Sequence, residues 1–225
     1  MTYLELVQRL GREVGASGII TALASSTGEQ ARLKDWIGQA WVELQNEQPN
    51  WTWLRASTTF STVTSQATYD PEVVIGAGLM ANWVPNTFRV YDTSIANETF
   101  LAQLDYDVFR DAYILGTIRS TEGYPSVVTV RPDKTIQVAL VPDSANYTIV
   151  ADYLKYPTEL SVDGDTPEMP TRFHMALVYK AMEWYASYEA APEVAQRAAI
   201  YYRKMMDDIR MDQLPKITKS GSFLR

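Results

Sequence analysis

Val73-Val74-Ile75-Gly76-Ala77-Gly78-Leu79-Met80-Ala81 carries the letters G-x-G-x-x-A, the spacing with which a strand-turn-helix unit holds a pyrophosphate. The chain does not supply that context. Pro71 precedes only three apolar residues, and Pro85 interrupts the helix that would have to follow Gly78. The stretch reads as a glycine-containing loop or strand edge. Asp163, Asp165 and Glu168 are oxygen ligands in type, but the acids and Gly164 stand at offsets that do not match a calcium loop, and Pro167 interrupts it. They read as solvated turn residues before Pro170 and a Thr171 helix cap. His174 is the single histidine and there is no cysteine. A His-based ligand cluster, a zinc-thiolate site, a disulfide and a Ser or Cys triad are therefore all excluded within one subunit. His174 falls at the third position of a helix, where it serves capping or core contact. No catalytic, cofactor-binding or metal residue is assigned.

The elements around these residues follow from periodicity. Leu33, Trp36, Ile37, Ala40, Trp41 and Leu44 recur on one face of a helix, with Thr27 and Gln30 as an expected capping box and Pro49 as the stop. Two indoles on one stripe, with Trp51 and Trp53 just beyond, demand partner helices. Thr2 and Glu5 box the start of an earlier helix, Tyr3 to Val14, which ends at Gly15. From Leu54 to about Pro157 the period changes to 2. Ser126 to Arg131 and Thr135 to Val141 form a hairpin around Pro132-Asp133-Lys134, and Asn146 to Tyr156 reads as a third strand beside it. Asp105 is expected to cap a helix from Tyr106 to Leu115, closed by Gly116 in the left-handed region. A third long helix follows Thr171 and a fourth starts at Pro192.

The expected fold class is α+β: a four-helix bundle of residues 1–53 and 168–213, an inserted β-rich domain of residues 54–167, and an extended tail of residues 214–225. Met175, Tyr179, Met182, Tyr202 and Met206 exceed what narrow helix stripes need, so they are expected at a subunit interface. In the tail, Pro215 ends the fourth helix. Lys216, Lys219 and Arg225, with Phe223-Leu224, suit a partner groove with acidic walls and an apolar pocket. Net charge is −7, concentrated in residues 58–167, which hold 6 basic and 14 acidic residues. Such a segment repels a phosphate backbone, which argues against a specific DNA reader. No secretory signal or membrane span is read, so a protein made and used as a soluble cytoplasmic protein is expected.

Several pieces together resemble the head-to-tail adaptor proteins of tailed bacteriophages, including the tail tubular type. They are Tyr3-Leu4-Glu5-Leu6-Val7, Trp36-Ile37-Gly38-Gln39-Ala40-Trp41 running to Pro49-Asn50-Trp51, Gly123-Tyr124-Pro125, Tyr153-Leu154-Lys155-Tyr156-Pro157, the Asp163-to-Pro170 loop and Phe173-His174. The resemblance implies a structural virion protein, not an enzyme. It implies a homo-oligomeric ring, usually of twelve copies, in the neck between portal and tail, with double-stranded DNA passing through its lumen. The partners implied are other copies of the chain, the portal protein and a tail or nozzle protein. Another tail-tube or baseplate component, or a ligand-binding module built on the β insert, stays open at this point.

Overall fold

The computed structural model describes residues 1–18 and 20–214. The fold is α+β, with two compact units: residues 1–53 with 157–225, and residues 54–156. In chain order the elements are α1 (Tyr3–Val14), α2 (Glu29–Asn46), β1 (Arg55–Ser61), β2 (Thr68–Tyr69), α3 (Pro71–Val74), β3 (Met80–Trp83), β4 (Arg89–Asp92), β5 (Asn97–Phe100), β6 (Ala102–Gln103) and α4 (Tyr106–Phe109). They continue as β7 (Glu122–Gly123), β8 (Val127–Val130), β9 (Ile136–Ala139), β10 (Val141–Pro142), β11 (Tyr147–Lys155), α5 (Met175–Tyr188) and α6 (Pro192–Gln213).

In the first unit, α1 starts as the sequence indicates: the Glu5 amide donates to Thr2 Oγ1 at 3.3 Å and the Thr2 amide to Glu5 Oε2 at 2.9 Å. Gly15, at φ 72°, closes it. The Thr27–Gln30 box does not form. Helix α2 begins one residue later on Gly28, at φ 58°, and a chain that turns through the left-handed region there carries the Thr27 side chain away from the first-turn amides. Leu33, Ile37, Ala40, Trp41 and Leu44 are buried as the stripe requires. Trp36 is only half-buried, edge-on to Tyr185 with ring centres 6.0 Å apart. Trp51 is buried, donates its indole N–H to Leu44 O at 3.1 Å and stacks on Trp53 at 4.6 Å.

Residues 157–167, expected to end the β insert, pack with the helices. Buried Gln45 donates to Thr158 O at 2.9 Å and accepts from its amide at 3.0 Å. Asp163 accepts from the Leu23 amide at 3.0 Å, and the Asp165 carboxylate accepts from the Ser161 and Val162 amides at 2.7 and 2.8 Å. Those bonds hold the Asp165 carboxyl below its ordinary pKa, the Val162 amide having the largest effect. The Tyr3 amide donates to Asp165 O at 2.7 Å, so this loop anchors the start of α1. Asp163 and Asp165 are structural acceptors and not merely solvated.

A 3₁₀ turn, Thr171–Phe173, precedes α5; Thr171 makes no cap bond, because Pro170 stands at the start of that turn. Helix α5 packs against α1, α2 and α6. Ala176, Leu177 and Val178 are buried in succession, which only a helix covered on several faces achieves.

His174 is fully buried. Its Nε2 lies 3.0 Å from Met169 O and its Nδ1 3.0 Å from the Met1 amino group and 3.1 Å from Met1 O, so the buried ring is held at both nitrogens. Burial, followed by the Met1 ammonium, pushes its pKa below 6.5. The unfolded chain therefore takes up this proton first as pH falls. Stability from this group is complete above about pH 6.5 and declines as pH drops towards the lower folded value. Thermal melts from pH 7.5 to 5 should show this decline, and His174→Gln, which cannot titrate, should flatten it.

The second unit has two larger sheets with a core between them, and a short parallel pair of β7 with β10. One has the order β1-β11-β4-β5, with β3 pairing the far end of β11; the other has the order β2-β9-β8-β6. Phe88, Val90, Val128, Ile136, Ile149 and Ala151 are central to the buried cluster. The β8–β9 hairpin forms as expected, with Lys134 at φ 68° and Asp133 accepting from the Thr135 amide at 3.0 Å. Strand β11 does not lie beside it. Tyr147, Ile149 and Ala151 do share a buried face, but β11 joins β1, β3 and β4 in the opposite sheet. The expected helix from Tyr106 to Leu115 is one turn, α4, followed by a wider π-helical turn over Arg110–Ile114 closed by the Leu115 amide on Arg110 O at 2.9 Å. Gly116 has φ 91° but an extended ψ of −161°, so it redirects the chain without capping a helix.

Candidate assembly interface

The motif letters that suggested chemistry resolve into scaffold. Gly76 and Gly78, at φ 126° and 71°, link the short α3 to β3. That is helix to strand, the reverse of the order a pyrophosphate site needs. Among the described residues no group of three or more acids and histidines converges as metal ligands.

What the helical unit offers is surface. Across α2, α5 and α6 runs a belt of paired charges and rings. The Tyr202 hydroxyl donates to Glu47 Oε1 at 2.5 Å and Arg210 donates to Glu47 Oε2 at 3.0 Å. Burial first, then the Glu47 bond and charge, push the Tyr202 phenol well above its ordinary range. The Lys180 ammonium lies 3.7 Å from Glu43 and 3.3 Å from Glu183, and stands 5.3 Å from the Tyr202 ring centre. Tyr179 stacks on Tyr201 at 5.2 Å.

The five residues expected at a subunit interface therefore divide. Met182 and Met206 are buried in the protein's own core and have no surface to give a neighbour. The reason is that α5 already has three helical partners, which absorb the apolar surplus read from its sequence. Met175, Tyr179 and Tyr202 are half-buried, the last two engaged with α6 and α2 partners. The large apolar side chains that do face outward are Tyr188 on α5 and Ile200, Tyr201 and Met211 on α6; Ile200 is 61% and Met211 81% exposed. Position alone hid them, since Ile200 and Met211 lie off the stripe that Ala198, Met206 and Ile209 bury. Lys216, Lys219, Phe223, Leu224 and Arg225 lie outside the described residues.

The model for the SU10 adaptor protein family matches residues 1–222, nearly the whole chain. This chain belongs to that family. The match agrees with the resemblance to phage head-to-tail adaptors carried by the tryptophan helix and the Asp163-to-Pro170 loop, and it makes the protein a phage structural adaptor. No individual curated protein matches the adaptor. No helix among the adaptor's described residues is long and apolar enough to cross a membrane.

Charge also distributes differently once the units are known. Glu159, Asp163 and Asp165 belong to the helical unit and Arg55 to the β unit, leaving the β unit with 7 basic and 11 acidic residues.

Proposed function

We propose that the protein is a head-to-tail adaptor of the virion neck, assembling as a homo-oligomeric ring of twelve copies between the portal protein and a tail or nozzle protein. It acts structurally, without catalysis or cofactor, and double-stranded DNA passes through the ring lumen. The family match across residues 1–222 carries this reading. The net negative charge of both units supports it, because an acidic wall lets a phosphate backbone slide without holding it.

In this reading the four long helices, α1, α2, α5 and α6, are a bundle that forms one ring contact, and residues 54–156 are its β-rich insert. Tyr201, Ile200 and Met211, with Tyr179 stacked beneath Tyr201, contact the next copy, joined by Met175 and Tyr202 at the edge of the same surface. Outward Ile, Met and Tyr side chains on α6 are of the types found at protein interfaces. The tail of residues 214–225 holds the portal through Lys216, Lys219, Arg225, Phe223 and Leu224. Assembly takes place in the host cytoplasm.

Ile200→Asp combined with Met211→Asp tests the ring contact. Both sites are exposed, so the melting temperature of the free chain should stay close to the parent's. Incorporation into assembled particles should fall at least about tenfold. Full incorporation of the double variant would remove this face from the ring.

A further inference from the structure

Strands β1 and β5 terminate the same sheet at opposite ends. Their free edges are defined by the bonds they already make. The Thr62 amide donates to Tyr147 O at 2.8 Å, so by strand alternation Phe60, Thr58 and Ala56 turn their backbone groups towards β11. Arg55, Ser57, Thr59 and Ser61 turn theirs outward. At the other end the Leu101 amide donates to Phe88 O at 3.0 Å, so Thr99 and Asn97 face β4 while Glu98 and Phe100 face outward. No backbone group among the described residues bonds to either edge.

Proteins usually blunt such edges with proline, a bulge or an inward charge. Strand β1, Arg-Ala-Ser-Thr-Thr-Phe-Ser, has none of these in seven residues of unbroken register. Its one charge, Arg55, is held by Asp152, with Nε 2.9 Å from Oδ2. Strand β5 exposes Phe100 to 63%, an aromatic on the outer face of an edge, with the Arg89 guanidinium 3.9 Å from its ring centre.

We infer that β5 of one copy pairs antiparallel with β1 of the next, joining the β units of the ring into one continuous sheet. This rests on the ring reading above and supplies a contact in the β unit. Direction permits it: β1, β11, β4 and β5 alternate, so β5 runs opposite to β1 and a following copy continues the alternation. The outward residues of both strands carry their side chains on the outer face, so the two inner faces stay on the same side. Glu98 and Phe100 would each exchange two backbone bonds with outward residues of β1, about four bonds per junction. Phe100 then lies beside Ser57 or Thr59, whose small side chains leave room for a ring, the kind of aromatic and β-branched neighbour that stabilises sheets. Because the two edges differ, the contact is head-to-tail and closes only as a ring. Two β1 edges pairing with each other would instead stop at a dimer and leave β5 open.

The chain has no cysteine, so introduced ones report without background. Glu98→Cys is combined in turn with Ser57→Cys, Thr59→Cys and Ser61→Cys. Hydrogen-bonded antiparallel partners sit about 5.5 Å apart at Cα, inside the range a disulfide spans. In assembled particles under mild oxidation, one of the three combinations should join copies into ladders. In parallel, Thr59→Pro removes an outward N–H and leaves the bonds to β11 in place, so the free chain should melt close to the parent. Its incorporation should fall about tenfold or more. Particles whose copies cross-link through Ile200→Cys and Tyr201→Cys on α6 but never through any of the three strand pairs would overturn the edge contact and leave the ring standing. Cross-linking of Thr59→Cys to itself would also overturn it, in favour of a two-fold contact. Particles in which copies join through neither surface would overturn both.

Discussion

Trp41→Ala should lower the unfolding free energy by about 3–5 kcal/mol, the range for deleting a fully buried large aromatic side chain. Trp41 has no exposed surface and lies in the middle of the α2 stripe, between Ile37 and Leu44, so its loss leaves a cavity the helices cannot refill. Its indole N–H finds no partner among the described residues, so the loss is one of packing. Trp36→Ala should cost about 1–2 kcal/mol, because that ring is half in water before the change and loses mainly its contacts with Tyr185 and Tyr188. Urea unfolding of the two variants side by side measures the difference. Equal losses would show that the buried face of α2 is not the one described.

Phe88→Ala should cost the β unit a similar amount, about 3–5 kcal/mol. Phe88 is fully buried between the sheets, its ring centre 5.6 Å from that of Trp83, and its carbonyl accepts the Leu101 bond that starts the crossing from one sheet to the other. Trp83 donates its indole N–H to Lys134 O at 2.8 Å, so its environment reports on this core. An early unfolding transition in a variant that keeps only Trp83 as fluorophore of the β unit measures the effect. A transition unchanged from the parent would contradict the sandwich core.

The sequence made the helices legible and the sheets only partly so. Period 3.6, the Thr2–Glu5 box and Gly15 locate α1, and the tryptophan stripe locates α2, because both signals are local. Strand partners are not local. The alternation of Tyr147, Ile149 and Ala151 says that one face is buried, but nothing in it chooses β1 and β4 over the adjacent hairpin. The same limit hid the role of Asp163 and Asp165, whose acceptor oxygens look solvated until the Leu23 and Tyr3 amides arrive from distant parts of the chain. On α5 and α6, composition registered an apolar surplus but could not say which of its side chains turn outward. Met182 and Met206 went inward, whereas Ile200 and Met211 stayed out. The adaptor resemblance was legible because it rests on the order of such local pieces along the chain, which is also what the family match spans.

Mixing purified portal rings with this chain and weighing the product by native mass spectrometry tests the central claim most directly. The expected result is a single new species heavier by twelve multiples of 25.4 kDa, lost when residues 214–225 are deleted from a chain that still melts normally. Portal rings of unchanged mass in the presence of excess full-length chain would contradict the adaptor function.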